Sequence, residues 1–528
     1  MSHMWWQIGT IYQVYPRSFQ DSNGDGIGDL DGIRQRLDYL IWLGVDAIWI
    51  SPVYPSPMHD FGYDITDYCG IDPIFGSLES FDRLIDEAHA KRIKVILDFV
   101  PNHTSIAHPW FMASRRSRAD PKRDWYIWRN AAPDGGPPNN WISNFGGSAW
   151  AWDDGTGQYY YHAYLTEQPD LNWRNPNVRA AMHEVLRFWL RRGVDGFRVD
   201  VMWHLIKDVM FRDNPPNPAW TSADPEIDRL LQTYSTDRPE VHEVISGMRK
   251  VLEEFKNRVL IGEIYLPVER LVAYYGKSLM GAHLPFNFQL LNAVWTATYI
   301  AELIEKYEAA LPEDGWPNWV LSNHDRPRIA ARVGQEQARV GAMLLLTLRG
   351  TPTLYYGDEL GIGHVEIAPN LVRDPWAKRE PGLGVGRDPA RTPMQWDAGA
   401  FAGFSTHEPW LPLTPDHEAR NVVAMSNDKA SILTLVRSLL HYRRQHTSLF
   451  QGEWRLLSRK SNVLAYERRN GENRLIVVLN FTANPRAWST PTSTKVRVAI
   501  STHGDRHGEP VGSTLSLRGN EGLLIEPV

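Results

Sequence analysis

The stretch Asp195–Asp200, written DGFRVD, decides the fold prediction because it is a short apolar run that ends in a carboxylate. The same form recurs in TIYQVYP (10–16), DAIWIS (46–51), KVILDFVPNH (94–103), RVLIGE (258–263), NWVLSNHD (318–325) and TPTLYYGDE (351–359), and AHLPFNF (282–288) is a weaker example. Short continuous apolar runs are typical of strands that are buried on both faces of a parallel sheet.

Helical patterns lie between these runs. The segments 178–190 and 336–348 both predict helices. A third helix is predicted from apolar residues on one helical face and a glycine at its end, namely Ile33, Leu37, Leu40, Ile41 and Gly44. Strand and helix alternate about eight times, which predicts an α/β fold of the (β/α)8 TIM barrel type.

Two intervals interrupt this alternation, and the end of the chain departs from it. The segment 104–172 is rich in Trp, Pro, Gly and Asn and is too long for an ordinary connection, so it predicts an inserted B domain after strand 3. A smaller excursion covers 360–410. The alternating strands of 451–528 predict a C-terminal β-sandwich domain. The barrel would then comprise 1–103 and 173–450.

Composition restricts the function classes. The chain has 528 residues, a formal net charge of −6, 43% hydrophobic and 22% charged residues, which describes an ordinary globular protein. That charge gives no reason to expect nucleic acid or a membrane surface as a partner. One cysteine, Cys69, excludes an intrachain disulfide. No signal peptide and no membrane-spanning run is recognisable. We expect a cytoplasmic bacterial protein, monomeric or homodimeric, with small molecules as partners.

Three carboxylates stand at predicted strand ends. Asp200, Glu263 and Asp325 each follow an apolar run, and catalytic groups of a (β/α)8 barrel project from this edge. Arg198 lies on the same side of its strand as Asp200, and His324 precedes Asp325. Convergent carboxylates without a Ser-His or Cys-His pair suit glycosidic bond cleavage. One carboxylate attacks the anomeric carbon, a second protonates the leaving oxygen, and a third stabilises the positive charge of the ring.

Five short motifs carry a family resemblance. They are DFVPNH (98–103), QPDLN (168–172), GFRVD (196–200), GEIY (262–265) and SNHD (322–325). Through them the chain resembles the α-amylase superfamily of retaining glycoside hydrolases (glycoside hydrolase family 13), in particular its oligo-1,6-glucosidase and α-glucosidase branch. The resemblance extends nearly from end to end and includes the B domain and the C-terminal β domain.

The resemblance implies roles for individual residues. Asp200 would be the nucleophile, Glu263 the general acid/base and Asp325 the transition-state stabiliser. A glucose pocket would be lined by polar and aromatic side chains, namely Asp60, Tyr63, His103, Phe145, Tyr164, Arg198, His324 and Arg387. Arg387 would pair with Asp60 around the far hydroxyl of the glucose, although Arg391 is a nearby competitor. Tyr164 departs from the phenylalanine expected at its position.

The resemblance also implies the substrates. A pocket closed by Asp60 and Arg387 admits only a chain end, so we expect an exo-acting enzyme. It would release glucose from maltose, isomaltose, sucrose or related short α-glucosides through a covalent glucosyl-Asp200 intermediate, with some transglucosylation to sugar or alcohol acceptors. Val201, after the nucleophile, favours α-1,6 linkages. Two alternatives stay open: a dedicated α-glucosyl transferase or isomerase, and a non-enzymatic transporter subunit of the same superfamily.

A cation site is predicted in DSNGDGIGD (21–29). Oxygen-bearing residues occupy alternate positions, as in the first part of an EF-hand loop, but the position of the final bidentate glutamate holds Gly32. The resemblance implies a structural Ca²⁺ or Mg²⁺ and no organic cofactor. The expected ligands are Asp21, Asn23, Asp25, the carbonyl of Ile27, and Asp29.

Overall fold

The computed structural model describes residues 3–490 and 495–528. Its strands are β1 (Ile11–Val14), β2 (Ala47–Ile50), β3 (Lys94–Phe99), β4 (Trp128–Arg129), β5 (Trp150–Asp153), β6 (Gln158–Tyr161), β7 (Gly196–Val199), β8 (Val259–Gly262), β9 (Leu284–Pro285), β10 (Asn318–Val320), β11 (Thr351–Tyr355), β12 (Glu453–Ser458), β13 (Val463–Asn470), β14 (Asn473–Asn480), β15 (Arg486–Ser489), β16 (Val496–Ser501), β17 (Pro510–Val511), β18 (Thr514–Leu517) and β19 (Gly522–Pro527). Its α-helices are α1 (Trp5–Ile8), α2 (Leu30–Gln35), α3 (Leu37–Leu43), α4 (Leu78–Ala90), α5 (Pro109–Arg116), α6 (Pro176–Arg191), α7 (Val241–Glu253), α8 (Val268–Leu271), α9 (Ala297–Ala310), α10 (Ile329–Val333), α11 (Gln335–Thr347), α12 (Pro375–Arg379), α13 (Val422–Ser426), α14 (Ile432–Gln445) and α15 (Thr447–Phe450).

Eight parallel strands form the predicted barrel. Their order is β10-β11-β1-β2-β3-β7-β8-β9. Each barrel strand therefore lies beside the barrel strand that comes next along the chain, and the last strand, β11, pairs with the first, β1. The weakest predicted strand, 282–288, retains only Leu284–Pro285. The Asn318 side chain joins β9 to β10, because it donates to the Pro285 carbonyl at 2.6 Å and accepts from the Asn287 amide at 2.9 Å. The (β/α)8 fold is therefore confirmed.

The carboxyl ends of β7 and β8 lie level with each other. The Asp200 amide donates to the Phe99 carbonyl at 2.8 Å, and the Glu263 amide donates to the Val199 carbonyl at 2.9 Å. Sheet-type hydrogen bonding therefore continues one residue beyond each strand. This fixes the backbone of both predicted catalytic residues at the same rim of the barrel.

One detail of the helix prediction is wrong. The segment predicted as one helix is divided at Arg36, whose φ of −100° and ψ of 5° end α2 and precede α3. Ile33, Leu37 and Leu40 are buried as expected, but Ile41 is 37% exposed, and Leu43 is the third buried residue of α3 instead. The prediction of α3's end is confirmed, since Gly44 adopts a left-handed φ of 104°.

The segment 104–172 forms its own small unit beside the barrel rim. It contains α5 and an antiparallel sheet in the order β4-β6-β5. Aromatic rings fill the space between them, for example Phe111 stacked on Trp128 at 5.7 Å and edge-on to Tyr160 at 5.1 Å. This unit brings Phe145 and Tyr164 to the mouth of the barrel.

The described residues from 453 onward form two antiparallel sheets. One has six strands in the order β12-β13-β14-β19-β16-β17, and the other pairs β15 with β18. Trp488 and Leu517 of the smaller sheet pack on one face of the larger sheet. The opposite face contributes Leu464 and Tyr466 to the same hydrophobic core as the barrel helices. Across the described residues, no helix combines the length and the apolar character needed to cross a bilayer.

Candidate active site

The predicted catalytic carboxylates meet around one cavity of about 470 Å³ at the carboxyl rim of the barrel. Asp200, Glu263 and Asp325 all line it. The same wall includes most of the other predicted site residues, namely Asp60, Tyr63, His103, Phe145, Tyr164, Val201 and Arg387. Arg198 and His324 are fully buried beneath this lining and act on it through hydrogen bonds.

Arg198 connects the two carboxylates that are predicted to carry the reaction. Its Nη1 lies 2.8 Å from Asp200 Oδ1 and 2.7 Å from Asp98 Oδ1, and its Nη2 lies 2.7 Å from Glu263 Oε2. Asp98 also accepts from the Trp49 indole and the Tyr63 hydroxyl, each at 3.1 Å. The sequence pattern alone assigned no role to Asp98, although this residue lies in the DFVPNH motif.

Val201 adds a second link between these carboxylates. Its amide donates to Glu263 Oε2 at 2.8 Å. Its φ of 37° and ψ of 47° lie in the left-handed region, which is strained for a β-branched residue and costs about 1–3 kcal/mol. The surrounding structure holds this conformation, and the result is an amide aimed at the predicted acid/base.

The electrostatics of Asp200 and Glu263 favour retention of a proton. Burial raises the pKa of Glu263; Arg198 opposes this shift, and the charge of Asp325 reinforces it. Burial also raises the pKa of Asp200, and the neighbouring charge of Glu263 adds to the shift. Two carboxyls that share one guanidinium therefore ionise less readily together than apart. One protonated and one ionised carboxyl is the state that glycoside cleavage needs.

Asp325 has the opposite character. Burial disfavours its charge, but His324, Arg387 and Arg391 outweigh that effect and hold its pKa well below the usual range. Arg391 Nη2 lies 2.9 Å and Arg387 Nη1 lies 3.3 Å from Asp325 Oδ1. Burial lowers the pKa of His324, so at pH 7 its neutral ring acts on Asp325 through Nε2 at 3.3 Å from Oδ2, and the two arginines supply the positive charge. Asp325 is therefore ionised at neutral pH.

His324 is oriented by a chain of side chains. The Gln13 amide lies 2.8 Å from Nδ1, and Nε2 lies 2.5 Å from the Tyr63 hydroxyl. With the Gln13 amide as donor, the ring proton is on Nε2, an assignment that follows from this hydrogen-bond network. Tyr63 stacks on the ring at 5.4 Å and donates to Asp98. The chain thus runs from Gln13 to the arginine beneath the catalytic pair.

The inner end of the cavity is closed by charged groups. Arg387 Nη2 lies 2.7 Å from Asp60 Oδ1 and 2.6 Å from Asp374 Oδ1. The Arg387 amide also donates to Asp374 Oδ2 at 2.7 Å, and Asp374 is completely buried. The structure therefore places Arg387 beside Asp60, as the sequence predicted. Asp374 was missed, because nothing local in its sequence marks it as the partner of a residue thirteen positions later.

Aromatic and amide groups complete the wall. The Tyr164 ring packs against His103 at 5.4 Å and against Phe145 at 5.5 Å. His103 Nε2 lies 3.1 Å from the Tyr63 carbonyl, and burial lowers the pKa of its ring. Gln168 donates to Asp60 Oδ2 at 3.2 Å, so the QPDLN motif contacts the closed end directly.

A buried ammonium group stabilises the junction between barrel and inserted segment. Lys207 is 4% exposed and donates to Asn102 Oδ1 at 2.8 Å and to Asp170. Asp170 Oδ1 accepts from the Ala163 amide at 2.7 Å. Lys207 was not identified from the sequence, where a lone lysine within WHLIKD resembles an ordinary surface residue. Its role is to hold β3 and the inserted segment together behind His103.

Three segments of the chain meet at the rim of the cavity. Glu380 of α12 accepts from the Trp376 indole at 2.6 Å and from the Glu226 amide at 2.8 Å. Glu226 in turn accepts from the Gly147 amide at 2.8 Å. The inserted segment, the loop after β7 and the 360–410 excursion therefore meet at the mouth, which leaves a cavity with one open side.

The predicted cation loop has the expected backbone turns. Asp21 Oδ1 accepts from the Asn23 and Gly24 amides, and its Oδ2 accepts from the Gly26 amide and the Ser405 hydroxyl. Asp29 caps α2 through the Gly32 amide at 2.7 Å. Within residues 3–490 and 495–528, no group of three or more His, Cys, Asp or Glu side chains converges as a metal cluster. The other three expected ligands are the Asp25 carboxylate, the Asn23 amide oxygen and the Ile27 carbonyl, all of them oxygen donors that suit a hard cation.

Comparison with known proteins gives a consistent result. Residues 13–452 match the family described as Alpha amylase, catalytic domain. A "Probable alpha-glucosidase" of Rhizobium meliloti (strain 1021) is 42% identical over 90% of this chain and 89% of its own length. An "Oligo-1,6-glucosidase" of Parageobacillus thermoglucosidasius is 37% identical, with 93% of each chain covered. The crystal structure of an alpha-glucosyl transfer enzyme, XgtA, superposes with a TM-score of 0.95 at 40% identity over 100% of both chains.

Proposed function

The chain belongs to the α-amylase family, and from this premise we propose that it is an exo-acting, retaining α-glucosidase. The observation that carries the proposal is the pairing of Asp200 and Glu263 on Arg198 at one side of a cavity whose inner end is closed by Arg387. A glucose unit enters from the open side with its non-reducing end toward Arg387. Its anomeric carbon then faces the carboxylate pair.

The first step breaks the glycosidic bond. Asp200 attacks the anomeric carbon and forms a bond to it, while Glu263 transfers its proton to the departing glycosidic oxygen. The positive charge that develops on the ring is stabilised by the ionised Asp325. Arg198 holds both reacting carboxylates, and the Val201 amide orients Glu263. The product of this step is a glucosyl-Asp200 ester and a free alcohol.

The second step restores the enzyme. Glu263, now ionised, removes a proton from water or from an acceptor hydroxyl, whose oxygen attacks the anomeric carbon and displaces Asp200. Two inversions give overall retention of the α configuration. Water yields glucose, and a sugar or alcohol acceptor yields a new α-glucoside.

The closed end explains why the enzyme acts on chain ends. The contacts among Asp60, Arg387 and Asp374 leave no passage for a further sugar beyond the bound glucose. The charged groups there are suited to hydrogen-bond the distal hydroxyls of a single terminal residue. Internal bonds of a polymer cannot reach Asp200 in this geometry.

The proposed activity is tested by the products formed from several glucosides. Hydrolysis of maltose, isomaltose and sucrose should release α-glucose as the first detectable anomer, and the relative rates establish the linkage preference. Soluble starch should lose viscosity slowly while glucose accumulates. Rapid loss of viscosity before glucose appears, or release of β-glucose, would contradict the proposal.

A transferase is the second candidate, because XgtA is an alpha-glucosyl transfer enzyme and covers the whole chain at 40% identity. The same glucosyl-Asp200 ester serves both reactions, and only the second-step nucleophile differs. The amount of free glucose formed per glucosyl unit transferred, measured with increasing acceptor, separates them. A ratio that stays near zero at low acceptor concentration identifies a dedicated transferase.

We further propose a structural Ca²⁺ or Mg²⁺ in the loop 21–29. The oxygens of Asp21, Asn23, Asp25 and Asp29 and the Ile27 carbonyl would hold it, and it would stabilise the contact of this loop with Ser405. The ion takes no part in the chemistry. Excess chelator should lower the melting temperature, and Ca²⁺ should restore it. An unchanged melting temperature would exclude an ion that contributes to stability.

The proposed cellular setting is inferred from the cysteine content of the chain rather than from the geometry of the site. We propose a bacterial cytoplasmic enzyme that acts on imported short α-glucosides, supported by a single cysteine and hence no intrachain disulfide. Its partners are neutral sugars and alcohols, and it acts as a monomer or homodimer. Sedimentation of the purified protein distinguishes these two states.

A further inference from the structure

The part of the cavity beyond Glu263 differs in character from the closed end. It is lined by the loop that connects β7 to α7, including Ile227, Leu230 and Leu231, together with Leu266 and Arg326. Leu231 is 46% exposed and adds apolar surface to this part of the wall. This region receives the departing group in the first step and the acceptor in the second step, so the inference below rests on the proposed function.

Arg326 is the cationic side chain of this region, and it interacts with Tyr265 while one of its donors has no partner. Its Nε is buried without a hydrogen-bond partner. The ion pairs of the adjacent Asp325 go to Arg387 and Arg391 instead. The guanidinium lies 5.1 Å from the centre of the Tyr265 ring, which fixes its position above the acceptor side. A buried donor without a partner is costly, and a ligand atom would remove that cost.

Asp228 is an anionic side chain in the wall of this region. It lines the same cavity, and its charge interacts with that of Arg326. Within the described residues, the neighbouring Arg229 pairs with Glu226 at 3.7 Å, and Arg326 and Asp228 form no ion pair with each other. A donor and an acceptor that do not pair with each other therefore line one cavity together with the apolar side chains of Ile227, Leu230 and Leu231.

We propose that Arg326 and Asp228 select the group that leaves in the first step and the acceptor in the second step. In both steps the selected group is a neutral sugar ring. Arg326 donates to one ring hydroxyl, Asp228 accepts from another, and an apolar face of the ring lies on Ile227 and Leu231. An anionic acceptor is disfavoured by the charges of Asp228 and Asp325. A purely apolar alcohol is disfavoured because it would leave the donors of Arg326 unsatisfied.

Two substrates isolate this role. Isomaltose places a sugar ring against Arg326, whereas α-glucosyl fluoride fills the closed end and has no ring on the acceptor side. Arg326→Met keeps much of the side-chain volume and removes all donors. We expect kcat/KM for isomaltose to fall about tenfold or more relative to kcat/KM for α-glucosyl fluoride. Arg326→Lys should recover part of the loss, and Asp228→Asn should produce a smaller loss in the same direction.

A matched control lies in the same loop. Arg229 is half exposed, pairs with Glu226 and does not line the cavity, so Arg229→Gln should leave the ratio of the two substrates unchanged. Acceptor competition gives a second readout. With α-glucosyl fluoride as donor, the wild-type enzyme should glucosylate glucose in preference to gluconate or 1-butanol, and Arg326→Met should narrow the preference over 1-butanol.

The outcomes separate a failure of this acceptor-side proposal from a failure of the proposed α-glucosidase activity. Equal losses on both substrates would mean that Arg326 acts through the charges of Glu263 and Asp325, and would overturn the proposal. A preference of the wild-type enzyme for gluconate or 1-butanol would overturn the assignment of a neutral sugar. Failure of the wild-type enzyme to cleave either substrate would instead refute the proposed α-glucosidase activity itself.

Discussion

Asp200 can be removed without leaving its buried arginine unpaired. Arg198 would keep its contacts with Asp98 and Glu263. We therefore expect Asp200→Ala to fold with a melting temperature close to that of the wild-type enzyme and to lose at least ~10⁴-fold in kcat. The measurement is hydrolysis of p-nitrophenyl α-glucoside alongside a thermal melt.

Azide provides the control for that variant. A small anion fits the space that the carboxylate leaves, and attack from the same side gives β-glucosyl azide. Formation of this product, with Glu263 intact, identifies the missing group as the nucleophile. More than a tenth of wild-type activity without azide would remove Asp200 from that role.

The pH profile depends on Glu263. Because burial raises its pKa, the protonated form that acts as acid persists to higher pH than for an ordinary glutamate, and activity falls as pH rises through that raised value. Glu263→Gln should abolish maltose hydrolysis. Cleavage of α-glucosyl fluoride, whose leaving group needs little protonation, should survive better and lose its alkaline decline. We would measure kcat/KM for both substrates from about pH 4 to pH 9; a decline that persists in the variant would contradict the assignment.

At the scale of single residues, the sequence predicted the catalytic side chains and the pairing of Arg387 with Asp60, but it missed other partners of these groups. Asp200 and Glu263 were predictable because each directly follows an apolar strand, and that pattern is local. Asp374 and Arg326 were not, because no local pattern links Asp374 to Arg387, and Tyr265, which contacts Arg326, is distant in sequence. Glu380 belongs to the same class, since it organises the rim from α12.

At the scale of the elements, Glu359 is a buried acid in the turn after β11 that contacts both β1 and α3. Glu359 Oε1 accepts from the Tyr12 hydroxyl at 2.6 Å and from the Tyr39 hydroxyl at 2.9 Å, and its Oε2 has no partner. Burial raises its pKa to about 7, although the tyrosine hydrogen bonds oppose the shift. The folded protein therefore binds this proton more tightly than the unfolded chain.

The sign of the pH dependence follows from that difference. The stabilisation by the protonated acid is fully present below the unfolded pKa near 4.5 and is lost as pH rises through about 7. Glu359→Gln removes this loss, so the variant should gain on the order of 2–3 kcal/mol relative to wild type between pH 4.5 and pH 8.5. Urea unfolding at both pH values measures it. The exposed Glu472→Gln is the control and should show no gain.

The elements themselves were largely predictable. Each of the eight barrel strands carries enough apolar side chains to be recognised alone, including the two-residue β9. The division of one predicted helix into α2 and α3 was not predictable. The break at Arg36 depends on how α2 and α3 pack rather than on apolar periodicity. Periodicity predicts a continuous helical face and carries no information about where packing interrupts it.

At the scale of the whole molecule, the barrel and the C-terminal domain are joined at the carboxyl end of α11. Arg468 of β13 donates to the Thr347 carbonyl at 2.5 Å, and Arg443 of α14 donates to the Leu346 carbonyl at 3.1 Å and the Gly350 carbonyl at 2.5 Å. Both arginines are buried, and burial lowers their pKa values to about 9 and about 10. Their charges are compensated by the carbonyls at a helix C-terminus, where cations are favoured.

This junction predicts that the barrel and the C-terminal domain unfold together. Leu464 and Tyr466 lie in the same continuous core as the barrel helices, and loss of that domain would leave the α11 carbonyls without Arg468. Calorimetry of the intact chain should show one cooperative transition, and a chain that ends at Phe450 should not fold to an active enzyme. Arg468→Met should shift the single transition to lower temperature, corresponding to about 2 kcal/mol, because it leaves buried carbonyls unsatisfied without changing the active site. Two separate transitions, or an active and soluble barrel, would show that the domains are independent.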